Sequence, residues 1–409
     1  MASKDVPQLV APTIPERLDE LTPGWLTTAL RSTGSLRGAV TAIRSEILGE
    51  GEGFVGLIAR LHLEFDVDEP GVPATMIAKL PTDNDLNRAL GEMLGAYERE
   101  VRFYGEFADE TGFTVPRCYY SAMDPNPLEG REEAALRFVN AIPMWLLRAL
   151  IPLLLWFGTR TRRRYVLLLE DLSDARLGDQ VAGCDRHTAE RLARTLAAKQ
   201  AESWNSPAFE GRFWLADFVP LARVNQLMFR RNRKEFFRVD GDRIDASMLP
   251  VVDWLDRNGI ALMEHLGSPP HSLIHGDFRL DNMFFRDGHE ADDLIVIDWQ
   301  SVGFGRGVYD LSYFLTGNVR AQDLAEWEES LVRVYHDALV DGGATGYPFD
   351  SCWKDYQISK LMLFHRWISG GGLIDLSHER GQAILDRMFE GLFVRLPTEN
   401  LDSLLAATD

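Results

Sequence analysis

Cysteine is scarce in these 409 residues: Cys118, Cys184 and Cys352 are the whole supply, widely separated and odd in number. That excludes a disulfide framework, offers no metal-ligand spacing and makes a reducing compartment the expectation. Positive charge is also in deficit, with 43 Lys and Arg against 62 Asp and Glu and a formal net charge of −19. Such a surface argues against a nucleic-acid partner, whose phosphates demand a basic face. It leaves room for a single nucleotide, whose charge a metal ion and a few local cations can meet. A long apolar run is missing too. Ile142 to Phe157 comes nearest, but Arg148 and Pro152 interrupt it and it falls short of the ~20 apolar residues a membrane span needs. The opening MASKDVPQLVAPTIPERLDE holds no signal-peptide core, so a cytoplasmic location is expected. Internal repeats, low-complexity tracts and a linker long enough to split off a third domain are all lacking.

What is present is an ordinary globular balance, 45% hydrophobic and 26% charged, in a chain long enough to bury two sizeable cores. Pro15 to Leu30 reads as a helix, with Leu18, Leu21, Trp25 and Leu30 on one face. The pattern then alternates as strands do, at Ile43–Leu48, at Val55–Phe65 and at Thr75–Leu80. Between the first two lies Gly49-Glu50-Gly51-Glu52-Gly53-Phe54, where alternate glycines could let backbone amides approach phosphates, or simply form a hairpin turn. Leu86 to Ala108 has helical spacing. Val115–Tyr120 and Tyr165–Leu169 pair as further strands, and after Glu170 the chain turns helical from Thr188 to Trp204 and through residues 205–268. The arginine-rich section Arg223 to Arg243 reads as a solvated helix face.

The informative stretch runs from Leu273 to Leu315. His275-Gly276-Asp277 is followed by Asp281-Asn282, a short apolar strand Met283–Phe285, a polar turn Arg286–Asp293, and a second apolar strand Leu294–Ile297 ending in Asp298. A hairpin would carry Asn282 and Asp298 to one edge. That set suits phosphoryl transfer: Asp277 as the base that takes the acceptor hydroxyl's proton, Asn282 and Asp298 as ligands for Mg2+ on the phosphates.

HGDxxxDN, then IDWQ, then DLSYFL, in that order, resembles the catalytic segment of the aminoglycoside phosphotransferase-like superfamily of small-molecule kinases. Its ecdysteroid kinase-like and choline kinase-like branches are the nearest in pattern. The resemblance spans roughly residues 40–320. It implies an α+β fold of two lobes, a small lobe (1–170, with an apolar insertion near 141–164) and a mostly helical large lobe (171–409). It also implies ATP as cofactor with Mg2+. Lys79 would bind the α- and β-phosphates and pair with Glu100, Glu98 being the other candidate. Gly51 and Gly53 would cover the phosphates, and main-chain groups near Glu170 and Leu172 would hold adenine. His275 and Asp310 would brace the catalytic loop. Gly303–Gly307 would be a flexible turn into a helix beginning near Val308. Gln200 stands where the family often has histidine, a departure that touches packing more than chemistry.

The acceptor implied is a small hydroxylated molecule. Ile142 to Phe157, with the arginines that follow it, is either a helical pair packed on the small lobe or an apolar lid or membrane-surface patch at a peripheral contact. The second would suit a lipophilic alcohol such as a steroid-like, lipid-like or macrolide-like one; an aminoglycoside would instead ask for an acidic pocket. A kinase-fold binding protein without turnover is the reading from another class. A protein kinase is disfavoured by HGD and IDW in place of HRD and DFG, and a hydrolase built on His275 and Asp277 leaves Lys79 and the glycine loop unexplained.

Overall fold

In the computed structural model, residues 12–49, 56–158, 162–286, 294–370 and 379–406 are described. Gly51, Gly53 and most of the 286–293 turn lie outside them. Contacts divide the chain into two compact units, one of residues 1–108, 115–129 and 152–174, the other of 109–114, 130–151 and 175–409.

The first unit opens with α1 (Pro23–Ser32). Thr22 caps it, its Oγ1 accepting the Trp25 N–H, and Pro23 occupies the first turn, where a missing N–H is harmless. The helix expected over Pro15–Leu30 is thus shorter at its start, where Leu18–Glu20 forms a 3-10 turn. Then come β1 (Val40–Leu48), β2 (Gly56–Phe65) and β3 (Thr75–Pro81). The continuous helix expected over Leu86–Ala108 is broken in two, α2 (Asp85–Met93) and α3 (Ala96–Arg102). Gly95 between them takes φ +68, which only glycine adopts without strain. A π turn over Phe103–Phe107 completes the segment. β4 (Cys118–Met123) starts three residues later than its sequence pattern suggested.

Next are α4 (Glu132–Ala141) and α5 (Met144–Gly158), then β5 (Tyr165–Glu170). The five strands form one antiparallel sheet in the order β1-β2-β3-β5-β4. Alternate residues Ala59, Leu61, Met76, Ala78, Val166 and Leu168 face a core shared with Leu26, Ala29 and Leu30. The apolar insertion is divided between the units: residues 130–151 cluster with the second, and the chain from Pro152 on with the first. In the second, Arg223 donates to the carbonyls of Asn140 and Ile142. No helix among the described residues is long and apolar enough to cross a membrane.

The second unit is mostly helical. β6 (Arg176–Leu177) precedes α6 (Arg186–Glu202), α7 (Ala222–Asp240) and α8 (Leu249–Leu266). Four short strands follow: β7 (Ser272–Ile274), β8 (Met283–Phe285), β9 (Leu294–Val296) and β10 (Gly303–Gly305). The chain ends in α9 (Val308–Asn318), α10 (Ala321–Asp341), α11 (Phe349–Gly370), α12 (Glu379–Phe393) and α13 (Leu401–Leu405). Phe229, Phe236, Val251, Leu255, Leu262, Ile358, Leu361 and Phe364 build its core from α7, α8 and α11. The architecture is α+β as expected, an antiparallel sheet and a helical remainder.

Candidate active site

The catalytic segment is closed by a strand pair. β7 runs antiparallel to β10, Ile274 opposite Gly303, so Gly303–Gly305 is a strand rather than the flexible turn expected of it. A Cβ on Gly303 would fall 2.2 Å from the Ala216 carbonyl, and that close approach requires glycine. Within the closed stretch, β8 pairs with β9, Met283 opposite Val296. The ladder extends one step further: Ile297 N–H donates to the Asn282 carbonyl at 3.0 Å. Asn282 and Asp298 therefore sit at one edge of the hairpin. Asp298 adopts φ +64, a left-handed conformation uncommon for a non-glycine residue.

Between β7 and β8 the loop is held from beneath. Asp310, at the start of α9 and fully buried, accepts the main-chain N–H of His275 at 2.7 Å and of Gly276 at 2.9 Å. Burial pushes its carboxyl up, to about 7, against the pull of those two donors. His275 is buried against Trp299 with ring centroids 4.6 Å apart. Its Nε2 lies 2.9 Å from the Ile297 carbonyl, and its Nδ1 accepts the Asp277 N–H at 3.2 Å. Those contacts assign the proton to Nε2, and burial holds the ring below its usual pKa and so neutral. It fastens β9 to the loop.

Gln200 on α6 is the hub below. Its Nε2 donates to the carbonyls of Leu273 and Gly307, at 3.1 and 3.0 Å, and stands 3.3 Å from Asp310; its Oε1 accepts the Tyr335 hydroxyl. Gln200→Leu would leave these buried groups unpartnered. Urea denaturation is expected to show a loss of about 1–3 kcal/mol.

The loop delivers Asp277 next to Asn282, whose Nδ2 donates to the Asp277 carbonyl oxygen and to its Oδ2, both at 2.9 Å. That use of the amide NH2 leaves the Oδ1 end for a cation. Arg279 Nε reaches Asp277 Oδ2 at 3.1 Å. Burial raises the Asp277 carboxyl, but the Arg279 guanidinium and the Tyr313 and Asn282 hydrogen bonds outweigh it and hold the group at about 2. Its side chain remains 23% exposed, so an acceptor can reach it. Asp281 is turned away, bound by the Gln180 N–H and by Arg380.

A divalent ion would find oxygen donors only, one carboxylate on Asp298 and one amide oxygen on Asn282. That is a hard-cation set of the kind Mg2+ completes with substrate phosphates and water. The described residues contain no cluster of three or more His, Cys, Asp or Glu able to hold a metal.

In the first unit Lys79 extends from β3 to Glu100 on α3, Nζ to Oε1 at 2.5 Å. Glu98 is engaged elsewhere, by Arg102 at 3.1 Å, Arg163 at 2.8 Å and Asn126 at 2.9 Å. Glu170 ends β5 and bonds Arg117 through main chain and side chain, and Leu172 beyond it is buried. Three residues beside Asp277 are not picked out from the sequence: Arg279, Tyr313 and Arg366. Arg279, two residues after Asp277, and Tyr313, within DLSYFL, each had a local signal; Arg366 arrives only through tertiary packing.

Among known proteins, residues 227–344 match the ecdysteroid kinase-like family. Over 71 residues, 17% of this chain, the sequence is 35% identical to an Arabidopsis thaliana protein described as "Probable acyl-CoA dehydrogenase IBR3". The match spans 8% of that protein's length. Similar solved structures include a choline kinase from Cryptosporidium parvum Iowa II, 8% identical, over 89% of this chain and 93% of that one, with a TM-score of 0.46. A choline/ethanolamine kinase family protein from Mesorhizobium loti is 14% identical over 89% and 92%, at 0.44. The GDP complex of aminoglycoside 2'-phosphotransferase-IIIa is 14% identical over 90% and 98%, at 0.45. The family match covers the whole catalytic segment with its HGD, DN, IDWQ and DLSYFL motifs, and it is this small-molecule kinase superfamily that the chain resembles.

Proposed function

We propose that the protein is an ATP- and Mg2+-dependent kinase that transfers the γ-phosphate to a hydroxyl of a small molecule. The observation that carries this reading is the meeting of Asp277, Asn282 and Asp298 at one edge of a braced loop, with Asp277 kept ionised and accessible. Asp277 orients the acceptor hydroxyl and takes its proton as the oxygen attacks. Asn282 Oδ1 and Asp298 hold the metal, which when bound draws charge from the phosphates. Lys79, kept in place by Glu100, binds the α- and β-phosphates, while Gly51, Gly53 and the main chain at Glu170 and Leu172 serve the nucleotide. Catalysis in this arrangement is positioning and charge stabilisation.

The acceptor is an alcohol, and one feature supports a lipophilic one. Trp145, Ala149 and Leu153 recur every fourth residue along α5 and are exposed, Trp145 at 72%, with Phe138 on α4 at 69%. An apolar stripe so exposed, with Arg148 beside Ala149, also supports a peripheral membrane contact. The three cysteines are free thiols, which supports a reducing, cytoplasmic setting.

The test begins with nucleotide. ATP and ADP should raise the melting temperature in a Mg2+-dependent manner, and Lys79→Met should weaken binding about tenfold or more. Nucleotide binding indifferent to both Mg2+ and Lys79, or phosphate release from esters without nucleotide, would overturn the reading.

A further inference from the structure

Tyr309 and Tyr313 stand one turn apart on α9, and α11 packs against that helix. Arg366 projects from the last turns of α11 to the same place. Its Nη1 donates to the Tyr309 hydroxyl and to the Gly276 carbonyl, at 3.4 Å for the latter, and its guanidinium lies 5.9 Å from the Tyr309 ring centroid. Gly276 is the residue before Asp277, so the cation is anchored at the shoulder of the base.

Every other arginine of this loop has an anion to meet. Arg279 has Asp277 at 3.1 Å and Asp281 at 3.5 Å; Arg380 has Asp281 at 2.9 Å. Arg366 has no carboxylate within 4.0 Å among the described residues. Arg366 is exposed. Nη1 is occupied by Tyr309 and Gly276, whereas Nε and Nη2 make no hydrogen bond among the described residues. Nε and Nη2 form the edge of a guanidinium that grips a carboxylate or phosphate with two parallel hydrogen bonds.

We propose that Arg366 recognises the acceptor: it binds a negatively charged group, a carboxylate or a phosphate ester, and so holds the acceptor's hydroxyl at Asp277. This deepens the kinase reading and rests on it. The acceptor is then an anionic alcohol. Cationic acceptors such as choline or an aminoglycoside would place like charge against Arg366, and the site selects against them by repulsion as well as by fit. In the reaction the acceptor O–H gives its proton to Asp277 and a new O–P bond forms to the γ-phosphorus. The bond from that phosphorus to the β–γ bridging oxygen breaks, and ADP leaves with its electron pair. The anion on Arg366 is unchanged throughout.

The experiment measures ADP release by the full chain with Mg-ATP over four arms: hydroxycarboxylates of increasing chain length, hydroxylated phosphate monoesters, the neutral methyl esters of the first arm, and choline with aminoglycosides. Arg366→Gln, Arg366→Lys and Asp277→Ala are run alongside, together with melting temperatures of the Mg-ADP complex in each compound. We expect one anionic arm to be turned over with the lowest KM. Arg366→Gln should raise that KM about 10- to 100-fold with kcat little changed, and Arg366→Lys should recover part of it. The first two arms tell carboxylate from phosphate.

The proposal is overturned if neutral or cationic acceptors are preferred and Arg366→Gln leaves their KM alone, while Asp277→Ala still abolishes turnover. It is overturned equally if Arg366→Gln lowers kcat for every acceptor alike, which would put the guanidinium on the transferred phosphoryl group. A melting temperature that no anionic compound raises more in the parent than in Arg366→Gln also overturns it. Failure of the kinase reading looks different: no Mg-nucleotide shift and no Asp277-dependent ADP release in any arm.

Discussion

Asp277→Asn is expected to lower kcat by about 10²- to 10⁴-fold, the range a positioned general base supplies, while the affinity for Mg-ADP stays within a few-fold. The amide keeps the size of the carboxylate, so Arg279, Asn282 and Tyr313 still surround a polar group, and the loop should survive. The pH profile separates this residue from its support. Burial raises Asp277, yet Arg279 and the hydrogen bonds hold it near 2, so its ionisation does not limit the rate at any pH where the fold persists. Asp310 is raised to about 7 by burial, and protonating it weakens its hold on the His275 and Gly276 amides. The acid limb of kcat is therefore expected near neutrality, set by the brace rather than the base.

The two carboxyls act on stability with opposite signs. Asp277, depressed below its ordinary 3.8, contributes stability above about pH 4 and loses it as pH falls towards 2. Asp310, raised, contributes fully below about pH 4 and loses it as pH climbs through 7. Rate measurements from pH 5 to 9 on the parent and on Asp310→Asn check the assignment; an acid limb unchanged in Asp310→Asn would refute it.

Glu328→Ala is expected to destabilise the fold by about 3–5 kcal/mol, because it strands a buried cation. Lys360 Nζ lies 2.6 Å from Glu328 Oε1, with both side chains 1% exposed, and the Tyr356 hydroxyl donates to the same oxygen at 2.9 Å. Burial already pushes the Lys360 ammonium below its ordinary pKa, and Glu328 is what opposes that. The double variant Glu328→Leu/Lys360→Met removes both charges and should recover most of the loss, since a buried pair replaced by apolar side chains is often neutral. Guanidinium denaturation of Glu328→Leu, Lys360→Met and the double closes the cycle. Equal losses in all three would mean that the pair itself, not the stranded charge, carries the energy.

How far this was legible in the sequence depends on how local each feature is. The hairpin was readable because two apolar triplets flank a polar turn, and the period of a strand then fixes where Asn282 and Asp298 must fall. The lysine strand was readable for the same reason. Its partner was harder, because Glu98 and Glu100 both sit within reach on helical spacing and only the family resemblance favoured Glu100; the structure engages Glu98 with Arg102, Arg163 and Asn126 and pairs Glu100 with Lys79. The break at Gly95 was hidden by apolar periodicity that continues on both sides of it. Gly303–Gly305 resembled a turn because three glycines in five residues usually make one; here the backbone of Ala216 crowds Gly303 and that of Leu266 crowds Gly305. Gln200 was marked only by its departure from the family's histidine, which pointed to packing but not to its partners, and Arg366 carries no sequence signature at all. The contacts come from what α6 and α11 bring them against, and nothing within a window of neighbouring residues encodes that.

The strand pair β7–β10 has a wider consequence. It gathers His275, Asp277, Asn282 and Asp298 into a stretch with its two ends zipped together, and Asp310 lies just past the zipper with both of its oxygens on the enclosed loop. Such a segment opens as a cooperative unit when it opens at all. Damage anywhere along the seam, at Ile274, Gly303 or Asp310, would then cost the proposed base and the proposed cation ligands together. The groups proposed for the chemistry thus stand or fall with one local unit of structure.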